Sequence, residues 1–526
     1  MHWAYADEFK FRFAWWGFYD GLYDYTNGPW NDHRREYLAR FSETDSPRQS
    51  DYFNDHNKNP RHIYATSNRV NELYFDYSSG PVFVRVGRQS ISWGEADTIA
   101  LLDVSNPFDL TLGAPGFFQD VDEARIPLWT LRSTIRLPDV GPFSSLFGDA
   151  YLVPGPIDTT VPINPITAGV SPFNPDVPDP QLNIIAQGAQ ANFVHTVIAD
   201  RLPDQTWSNS RWGARLTGVL ARDYTVQTWF FRTFNQAPVP LLTNASAFGL
   251  ISKNQGTFVN SKGERYSDKR CGTADIANGC RAPAVTLLQR RLESVIGVAT
   301  SWFSQPLNGI MKGEIEYFIG EPAFIPTQNL NPRVQVPAAF RTTEGVIKNS
   351  TATADYVRWV IGYDRNFFFR PLNPTNSFIL VASYNSSFNI SEKGGRDYRN
   401  ANAKPGHPQT RQGPIAGNPL CQGKAAYTSA LCVYIDPHDY EDAYQYEGFM
   451  QATVRTDYLH GQLQPQFTVI ADVSGIFALQ PSISYRLNDN LILGVTYSGI
   501  SASRKAGLGT FRAHDMVQLR VTAQIN

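Results

Sequence analysis

Hydrophobic and polar residues alternate along this chain in segments of about ten residues, which is the period of a β-strand with two unlike faces. The first segment runs from Glu8 to Asp20, with aromatic side chains at every second position of its first half. The last ends the chain, where Val517, Leu519 and Val521 alternate with polar residues. We predict sixteen such strands, at about 8–20, 66–79, 81–92, 126–137, 147–153, 211–221, 223–234, 292–303, 310–319, 354–365, 376–388, 446–458, 462–473, 476–487, 490–500 and 513–526.

The connections between these strands alternate between long and short. Ser79-Gly80 and Arg222-Asp223 are short turns, whereas the long connections cover about 21–65, 93–125, 154–210, 235–291, 320–353 and 389–445. Short periplasmic turns, long external loops and an even number of strands are typical of a bacterial outer-membrane barrel. We therefore predict an all-β fold, a transmembrane antiparallel β-barrel of about 16 strands, with 14 to 18 compatible. It forms a single domain over residues 1–526, and 154–210, 235–291 and 389–445 are its long extracellular loops.

Composition removes several other classes of protein. The 526 residues contain no run of 18 apolar residues, so no transmembrane helix is expected. A net charge of −2 gives no basic surface for nucleic acid. A charged segment begins at residue 6, so no signal peptide is present, and we expect it to have been removed on export. The expected location is the bacterial outer membrane, with its lipid as the surrounding partner.

The four cysteines form two close pairs in sequence, Cys271 with Cys280 and Cys421 with Cys432. Neither pair has the Cys-x-x-Cys spacing, or the following histidine, that zinc or covalently attached haem requires. Both pairs fall in predicted external loops, so two local disulfides in an oxidising compartment are expected. Four unpaired thiols in a cytosolic protein are the alternative.

One connection is unusually rich in apolar residues. The strand around Val86 loses its alternation after Trp93-Gly94, and a regular pattern resumes at Arg125. A connection of this length is usually functional or disordered, and its many leucines and phenylalanines argue against disorder. At about 16 strands a barrel is wide enough for a channel unless something fills it. We predict that residues 93–125 fold inward into the lumen.

The same stretch carries a family resemblance. The segments VGRQSISWGEAD, LLDVSNPFDL and DEARIPLWTL resemble a family of Gram-negative outer-membrane barrels long classed as a domain of unknown function. Its pattern is G-[RK]-Q-x-[IV]-x-W-G-E-[AST], followed by [DN]-V-[IVS]-N-P-x-D and R-I-P-[LM]-W, and the spacing here matches. The resemblance covers about 50 residues of the chain. It implies a porin-like barrel and uptake or export of apolar molecules such as alkanes, sterols or lipids.

Charged residues near the ends of this connection are candidates for anchoring it as a gate. The predicted anchor residues are Arg88, Gln89, Trp93, Glu95, Asp97, Asn106, Asp109 and Arg125. We hypothesise that Arg88 or Arg125 pairs with an acidic residue of the connection and so pins it in the barrel mouth. Arg88 has the parity of the lipid-facing Val84 and Val86, so a β-bulge at Gly87 is needed to turn it inward. Direct contact with substrate is the alternative role.

The apolar residues of the connection have two possible roles. They either line a hydrophobic entrance to the lumen or pack against one another as the core of the folded loop. The residues concerned are Leu101, Leu102, Phe108, Phe117 and Phe118.

The polar faces of the strands predict the lining of the lumen. Its charged members are Lys10, Arg12, Arg211, Arg215, Lys312, Glu314, Glu316, Arg358, Glu447, Arg455, Asp457 and Arg520. Their mixed signs favour salt bridges or a transverse field over strong ion selectivity. No cofactor is needed for either role.

Catalytic motifs are absent from the sequence. There is no G-x-S-x-G, Walker loop, H-E-x-x-H or C-x-x-C-H, and no histidine pairs with a serine at strand spacing. The acidic group Asp120, Asp122 and Glu123 is more typical of a solvated loop than of a Ca²⁺ site, so no metal is predicted. We expect a protein that is not an enzyme.

These observations predict a channel. The favoured function is passive passage of hydrophobic or amphipathic small molecules, gated by the connection at 93–125. A general or ion-selective porin is the first alternative. The second is a structural barrel that sheathes a periplasmic partner such as a multihaem cytochrome, since this chain has no haem motif of its own.

Overall fold

The fold is described from a computed structural model of the protein. It describes residues 2–5, 8–19, 66–94, 105–109, 116–117, 120–155, 196–201, 206–235, 239–243, 257–259, 265–267, 284–289, 291–324, 351–390, 446–473, 475–502 and 515–523. The strands are β1 His2–Tyr5, β2 Phe9–Tyr19, β3 Thr66–Ser79, β4 Val82–Gln89, β5 Leu128–Arg136, β6 Phe143–Val153, β7 Thr196–Arg201, β8 Arg211–Leu220, β9 Tyr224–Phe234, β10 Val239–Thr243, β11 Thr257–Val259, β12 Arg265–Ser267, β13 Ala284–Gln289, β14 Leu292–Ser304, β15 Gly309–Phe324, β16 Thr351–Phe367, β17 Phe378–Asn389, β18 Tyr446–Thr456, β19 Leu463–Asp472, β20 Ile476–Asn488, β21 Leu491–Ala502 and β22 Met516–Ala523. Two short helical turns, α1 Val121–Ala124 and a 3₁₀ turn Trp207–Asn209, complete the described elements. No helix in these ranges is long and apolar enough to cross a membrane.

Sixteen long strands form one antiparallel sheet in which each strand pairs with the next long strand of the chain. The order is β2, β3, β4, β5, β6, β8, β9 and then β14 to β22, with the short β1 on the outer edge of β2. The predicted all-β fold and its sixteen strands are confirmed. The largest differences are at β15, which ends at Phe324 rather than at 319, and at β6, which begins at Phe143 rather than at 147.

Two of the predicted long loops contain short strands of their own. β10 pairs antiparallel with β13, and β13 pairs parallel with β7. β11 and β12 form a separate hairpin. The extracellular position of these segments stays a prediction.

The two faces of the sheet differ as a membrane barrel requires. On one face Ile483 and Val495 pair across β20 and β21 and are each 42% exposed. Phe467 of β19 lies on the same face and is 45% exposed. On the other face Ser482 pairs with Thr496, which in turn pairs with Gln518 of β22. An apolar exterior and a polar interior in strict alternation are the pattern of a transmembrane barrel.

The two ends of the sheet meet around α1. The guanidinium of Arg520, on β22, contacts the carboxylate of Glu123, and the guanidinium of Arg69, on β3, donates to the carbonyl of the same residue. Among the described residues no backbone ladder joins β22 to β1 or β2. The segment between β4 and β5, which we call the inward segment, therefore links β3 to β22 through side chains.

We predict that an arginine is tolerated on one face of β20 and not on the other. Ile483→Arg places a charge in the apolar exterior near the middle of the strand, where the expected destabilisation is about 2–4 kcal/mol. Ser482→Arg, the matched control, faces the polar interior and is expected to change the unfolding free energy by less than about 1 kcal/mol. Urea unfolding in phospholipid vesicles measures both, and equal destabilisation would contradict the assignment of faces.

Candidate functional site

The inward segment leaves the sheet at the end of β4 and returns at the start of β5. Gln89, fully buried, donates from Nε2 to the carbonyl of Thr130 at 3.0 Å. The side chain of Asn106 then ties the two arms of the segment together. Its Oδ1 accepts from the N–H of Ile91 at 2.7 Å, and its Nδ2 donates to the carbonyl of Ile126 at 2.9 Å. Asn106 is 0% exposed, so the tie lies inside the barrel.

Trp93 is the deepest side chain of the outgoing arm. Its indole is 1% exposed and makes edge contacts with Tyr151 of β6 and Phe231 of β9, at ring-centroid distances of 5.0 and 6.3 Å. Its Nε1 lies 3.3 Å from Oδ2 of Asp149. Gly213 of β8 provides the space, because a Cβ there would lie 2.9 Å from the indole, 2.7 Å from the Tyr151 ring and 2.7 Å from the Cβ of Phe231. We call the wall residues Asp149, Tyr151, Gly213 and Phe231 the indole socket.

An apolar cluster continues from the socket along the lumen wall. Its buried members are Ile91, Trp93, Leu128, Tyr151, Val153, Trp229, Phe231, Val295, Ala299, Phe318 and Val360. Only Ile91 and Trp93 belong to the inward segment, and the rest lie on β5, β6, β9, β14, β15 and β16. The segment thus packs against an apolar part of the lumen wall.

Asp149 is the electrostatic centre of the site. Its side chain is 0% exposed, and Arg132 binds it through Nε at 3.0 Å and Nη2 at 2.6 Å. Nη2 of Arg215 lies 3.1 Å away, and the hydroxyl of Thr134 donates at 3.3 Å. The Arg215 guanidinium also lies 5.3 Å from the centre of the Trp93 ring. A buried carboxylate is stable only when it is paired and hydrogen-bonded, as this one is.

Gly94 lets the segment turn directly after Trp93. Its φ of +113° is one that residues with a side chain rarely adopt. A Cβ at this position would lie 2.9 Å from the carboxylate of Glu314, which is 4% exposed on β15. Glycine is therefore required both by the backbone conformation and by the approach to the opposite wall.

The returning arm is held by arginines. Nη1 of Arg69 lies 3.9 Å from the carboxylate of Asp109. Arg125, 5% exposed, donates to the carbonyl of Ile91 at 3.4 Å, and its guanidinium lies 5.3 Å from the ring centre of Phe108. These contacts place the arm against β3 and against its own outgoing half.

Two of the predicted apolar loop residues are described, and both are buried. Phe108 is 4% exposed and Phe117 is 3% exposed. The carbonyl of Phe117 accepts from Gln480, which lies on β20. Leu101, Leu102 and Phe118 lie outside the described residues. Lining of an entrance by this set stays a prediction.

The predicted inward turn of Arg88 is wrong in its mechanism. The register runs without a shift across Gly87 in both ladders, and Arg88 pairs with Leu73 and with the exposed Trp129. The irregularity is instead on β3, where the pairing with β2 shifts between Glu72 and Val70. Arg88 donates from Nε to the Val70 carbonyl at 2.8 Å, beside this shift. Its length lets it reach a buried acceptor without a bulge at Gly87.

The anchoring hypothesis can be compared with the structure only in part. Glu95 and Asp97 lie outside the described residues, and Asp109 has Arg69 within 3.9 Å. The pairing of Arg88 or Arg125 with Glu95, Asp97 or Asp109 stays a prediction. Sequence analysis did not single out Arg69, Arg132 or Asp149. The alternation of their strands places these residues on the inward face, which the sequence could have indicated. Which of them pair with each other depends on the register between strands.

The predicted lumen residues lie on the inward face by register, except Asp457. That residue follows the end of β18, and its carbonyl accepts from Asn373 and Asn376. The others are Lys10, Arg12, Arg211, Arg215, Lys312, Glu314, Glu316, Arg358, Glu447, Arg455 and Arg520. Several are paired: Arg12 with Glu72, Lys312 with Asp364 at 2.8 Å, and Arg358 with Glu321 at 2.7 Å. Glu316 accepts from Nε1 of Trp229 at 2.9 Å.

The two remaining predictions concern the cysteine pairs and a metal site. Cys271, Cys280, Cys421 and Cys432 all lie outside the described residues, so both disulfides stay predictions. Within the part of the chain that is described, no group of three or more acidic, histidine or cysteine side chains is arranged to hold a metal ion.

The chain matches one family model and several solved barrels. The model of a family described as "Protein of unknown function (DUF1302)" matches residues 2–525. No curated protein sequence matches.

Three solved structures illustrate the likeness. Wzi of Escherichia coli, an outer-membrane carbohydrate-binding β-barrel involved in capsule assembly, is 9% identical, with 83% of this chain and 67% of that chain covered and a TM-score of 0.33. The outer-membrane channel DcaP of Acinetobacter baumannii is 9% identical (79% and 70% covered, TM-score 0.30). OccK8 (OprE) of Pseudomonas aeruginosa is 10% identical (88% and 80% covered, TM-score 0.32). The fold of this chain is established by its own strand pairing and faces.

We predict that Asp149→Ala strongly destabilises the barrel. The substitution leaves Arg132 and Arg215 partly buried without their carboxylate, and breaking a buried pair in this way costs about 3–5 kcal/mol. Asp364→Ala is the matched control, since Asp364 is 22% exposed and pairs with one lysine. Its expected cost is about 1 kcal/mol or less. Unfolding in vesicles measures both, and similar losses would show that Asp149 is not the central contact.

Proposed function

Because the chain belongs to the DUF1302 family of proteins of unknown function, its fold and its lumen must indicate what it does, and we propose that it is an outer-membrane channel for hydrophobic or amphipathic small molecules. Residues 93–125 form its gate. One observation carries the proposal: the lumen wall beneath this segment is apolar, from Tyr151 and Phe231 to Phe318 and Val360.

A water-filled pore has little use for an apolar wall. Val295 and Phe318 are 0% exposed and belong to the same buried cluster as Ile91 and Trp93 of the segment. Movement of the segment would expose that surface at a cost of about 25 cal/mol for each Å². An apolar solute that takes the place of the segment offsets this cost, whereas water and small ions do not. The wall therefore favours passage of apolar solutes over hydrophilic ones.

The exterior supports insertion in a bilayer. Exposed apolar side chains occur along the outer face of the sheet from β5 to β22. Among them are Ile135, Leu216, Ile361 and Leu519, at 44%, 43%, 51% and 77% exposed. In water such a belt would drive aggregation, whereas in a membrane it faces hydrocarbon. We assign the protein to the outer membrane because transmembrane β-barrels of this kind are outer-membrane structures.

A general porin is the second candidate, and the other side of the lumen favours it. Part of the inward face of β18 to β21 is polar, as in the row formed by Thr453, Thr468, Gln480 and Ser498. Ile470, Ala478 and Ile500 lie on the same face. Hydrophilic solutes would pass along this side if the inward segment left it open.

We predict that deletion of residues 96–121 opens the channel. The wild-type protein in planar bilayers is expected to show no steady conductance, because the segment fills the lumen. The deletion variant is expected to show large, stable conductance steps. A deletion of the same length at 395–420, in a different loop, is the control and should resemble the wild type. Large steady conductance of the wild type would contradict gating and favour the porin.

A further inference from the structure

We propose that the indole socket is a binding site for a flat ring system that carries one N–H or O–H donor, and that Trp93 occupies this site in the closed channel. The proposal rests on the proposed function in that the ligand reaches the socket through the lumen. It names the class of solute for which the apolar wall provides a specific position.

The shape of the socket fits a planar ring. Gly213 leaves a slot between Tyr151 and Phe231 in which any side chain at position 213 would collide with a ring. Both aromatic walls present edge-to-face geometry, with interplanar angles of 65° and 68° to the indole. Such contacts contribute about 0.5–1.5 kcal/mol each beyond the area that they bury. A flexible acyl chain has no ring to use them.

The polar side of the socket selects a donor. Asp149 is fixed by Arg132 and Thr134 on the side of Oδ1 and by two arginines at Oδ2, yet Oδ2 still accepts from Nε1 of Trp93 at 3.3 Å. A ring with a donor adds a charge-assisted hydrogen bond to Oδ2, which a ring without a donor cannot make. Sites built to hydrogen-bond a ligand reject analogues without the donor far better than apolar pockets reject a change of size.

Arg215 adds a preference for an electron-rich ring. Its guanidinium lies 5.3 Å from the Trp93 ring centre and is only 12% exposed in its side chain. The attraction between a cation and an aromatic face strengthens when the pair is removed from water. Aromatic alcohols and heteroaromatic rings with an N–H group, such as indole, satisfy all three contacts at once.

Trp93 and the wall around it differ in how firmly they are held. The wall residues belong to β6, β8 and β9, whose ladders are continuous at these positions. Trp93 lies beyond the last residue of β4 and is followed by the turn at Gly94, so it is outside any ladder. Elements without ladder hydrogen bonds open at lower free energy than those within them. The tryptophan can therefore leave while the socket keeps its shape.

The test is whether a small aromatic molecule binds in the space left when Trp93 is replaced by a smaller residue. We expect Trp93→Gly, purified in detergent, to bind indole at least tenfold more tightly than the wild type, in which indole must displace the native side chain. Apolar cavities made by removing a large side chain do bind rings of matching size. Benzofuran, the same bicycle without an N–H, is expected to bind at least fivefold more weakly than indole. Titration calorimetry measures both ligands, and Trp93→Phe, which keeps a ring in the socket, controls for partition into detergent.

Equal affinity of indole for Trp93→Gly, Trp93→Phe and the wild type would overturn the proposal, as would equal affinity for indole and benzofuran. Circular dichroism and the heat-dependent gel mobility of a barrel establish that each variant is folded. Trp93→Ala gives the same comparison with a smaller change of backbone freedom if Trp93→Gly does not fold. Planar-bilayer recordings separate the two levels of inference: binding without any effect of indole on wild-type conductance keeps the socket and rejects the channel.

Discussion

The buried carboxylate of Asp149 is the interaction on which the interior of this barrel depends. It joins β5 through Arg132, β8 through Arg215 and the inward segment through Trp93, so three parts of the chain share one charge. The aromatic face of Trp93 lies against Arg215, one of the two arginines that bind this carboxylate. Removal of the carboxylate would break both ion pairs in a buried site. The apolar cluster and the position of the segment both follow from this arrangement.

The membrane imposes a second constraint, which acts on the outer face of the barrel. Outside, alternate residues must be apolar, so half of every strand is unavailable for recognition. All chemical selectivity must then come from the inward half and from whatever enters the lumen. On β6 this means that Asp149, Tyr151 and Val153, successive inward positions, supply a charge, an aromatic edge and a piece of apolar wall. One strand thus carries all three elements of the socket's chemistry.

The fold could be predicted from the sequence because its rule is local. A period of two, with turns such as Ser79-Gly80, is visible residue by residue, and it located all sixteen long strands. The contacts of the site are not local. Asp149 meets Arg132, Arg215 and Trp93 across 17, 66 and 56 residues of sequence, and no alternation pattern specifies which inward charges become neighbours. The motif did single out Trp93 and Asn106, but their partners required the register.

The case of Arg88 shows why parity alone misleads for long side chains. Parity fixes where a Cβ points, whereas an arginine head group lies several ångströms beyond it and can fold along the strand. The guanidinium reaches the Val70 carbonyl, where the shifted pairing of β3 leaves an acceptor available. An expectation based on faces therefore holds for Val86, whose side chain is short. It does not locate the guanidinium of Arg88.

The same distinction explains why the inward segment is suited to a gate. Among the described residues, Asn106 and Arg125 bind other parts of the segment itself, whereas Trp93 binds the wall through its indole. A solute that offers the same ring and N–H group could take the place of Trp93 on the wall. A segment held by extensive strand pairing would need the barrel itself to open. In the proposed channel the wall would therefore set the selectivity, and the segment would supply a removable occupant.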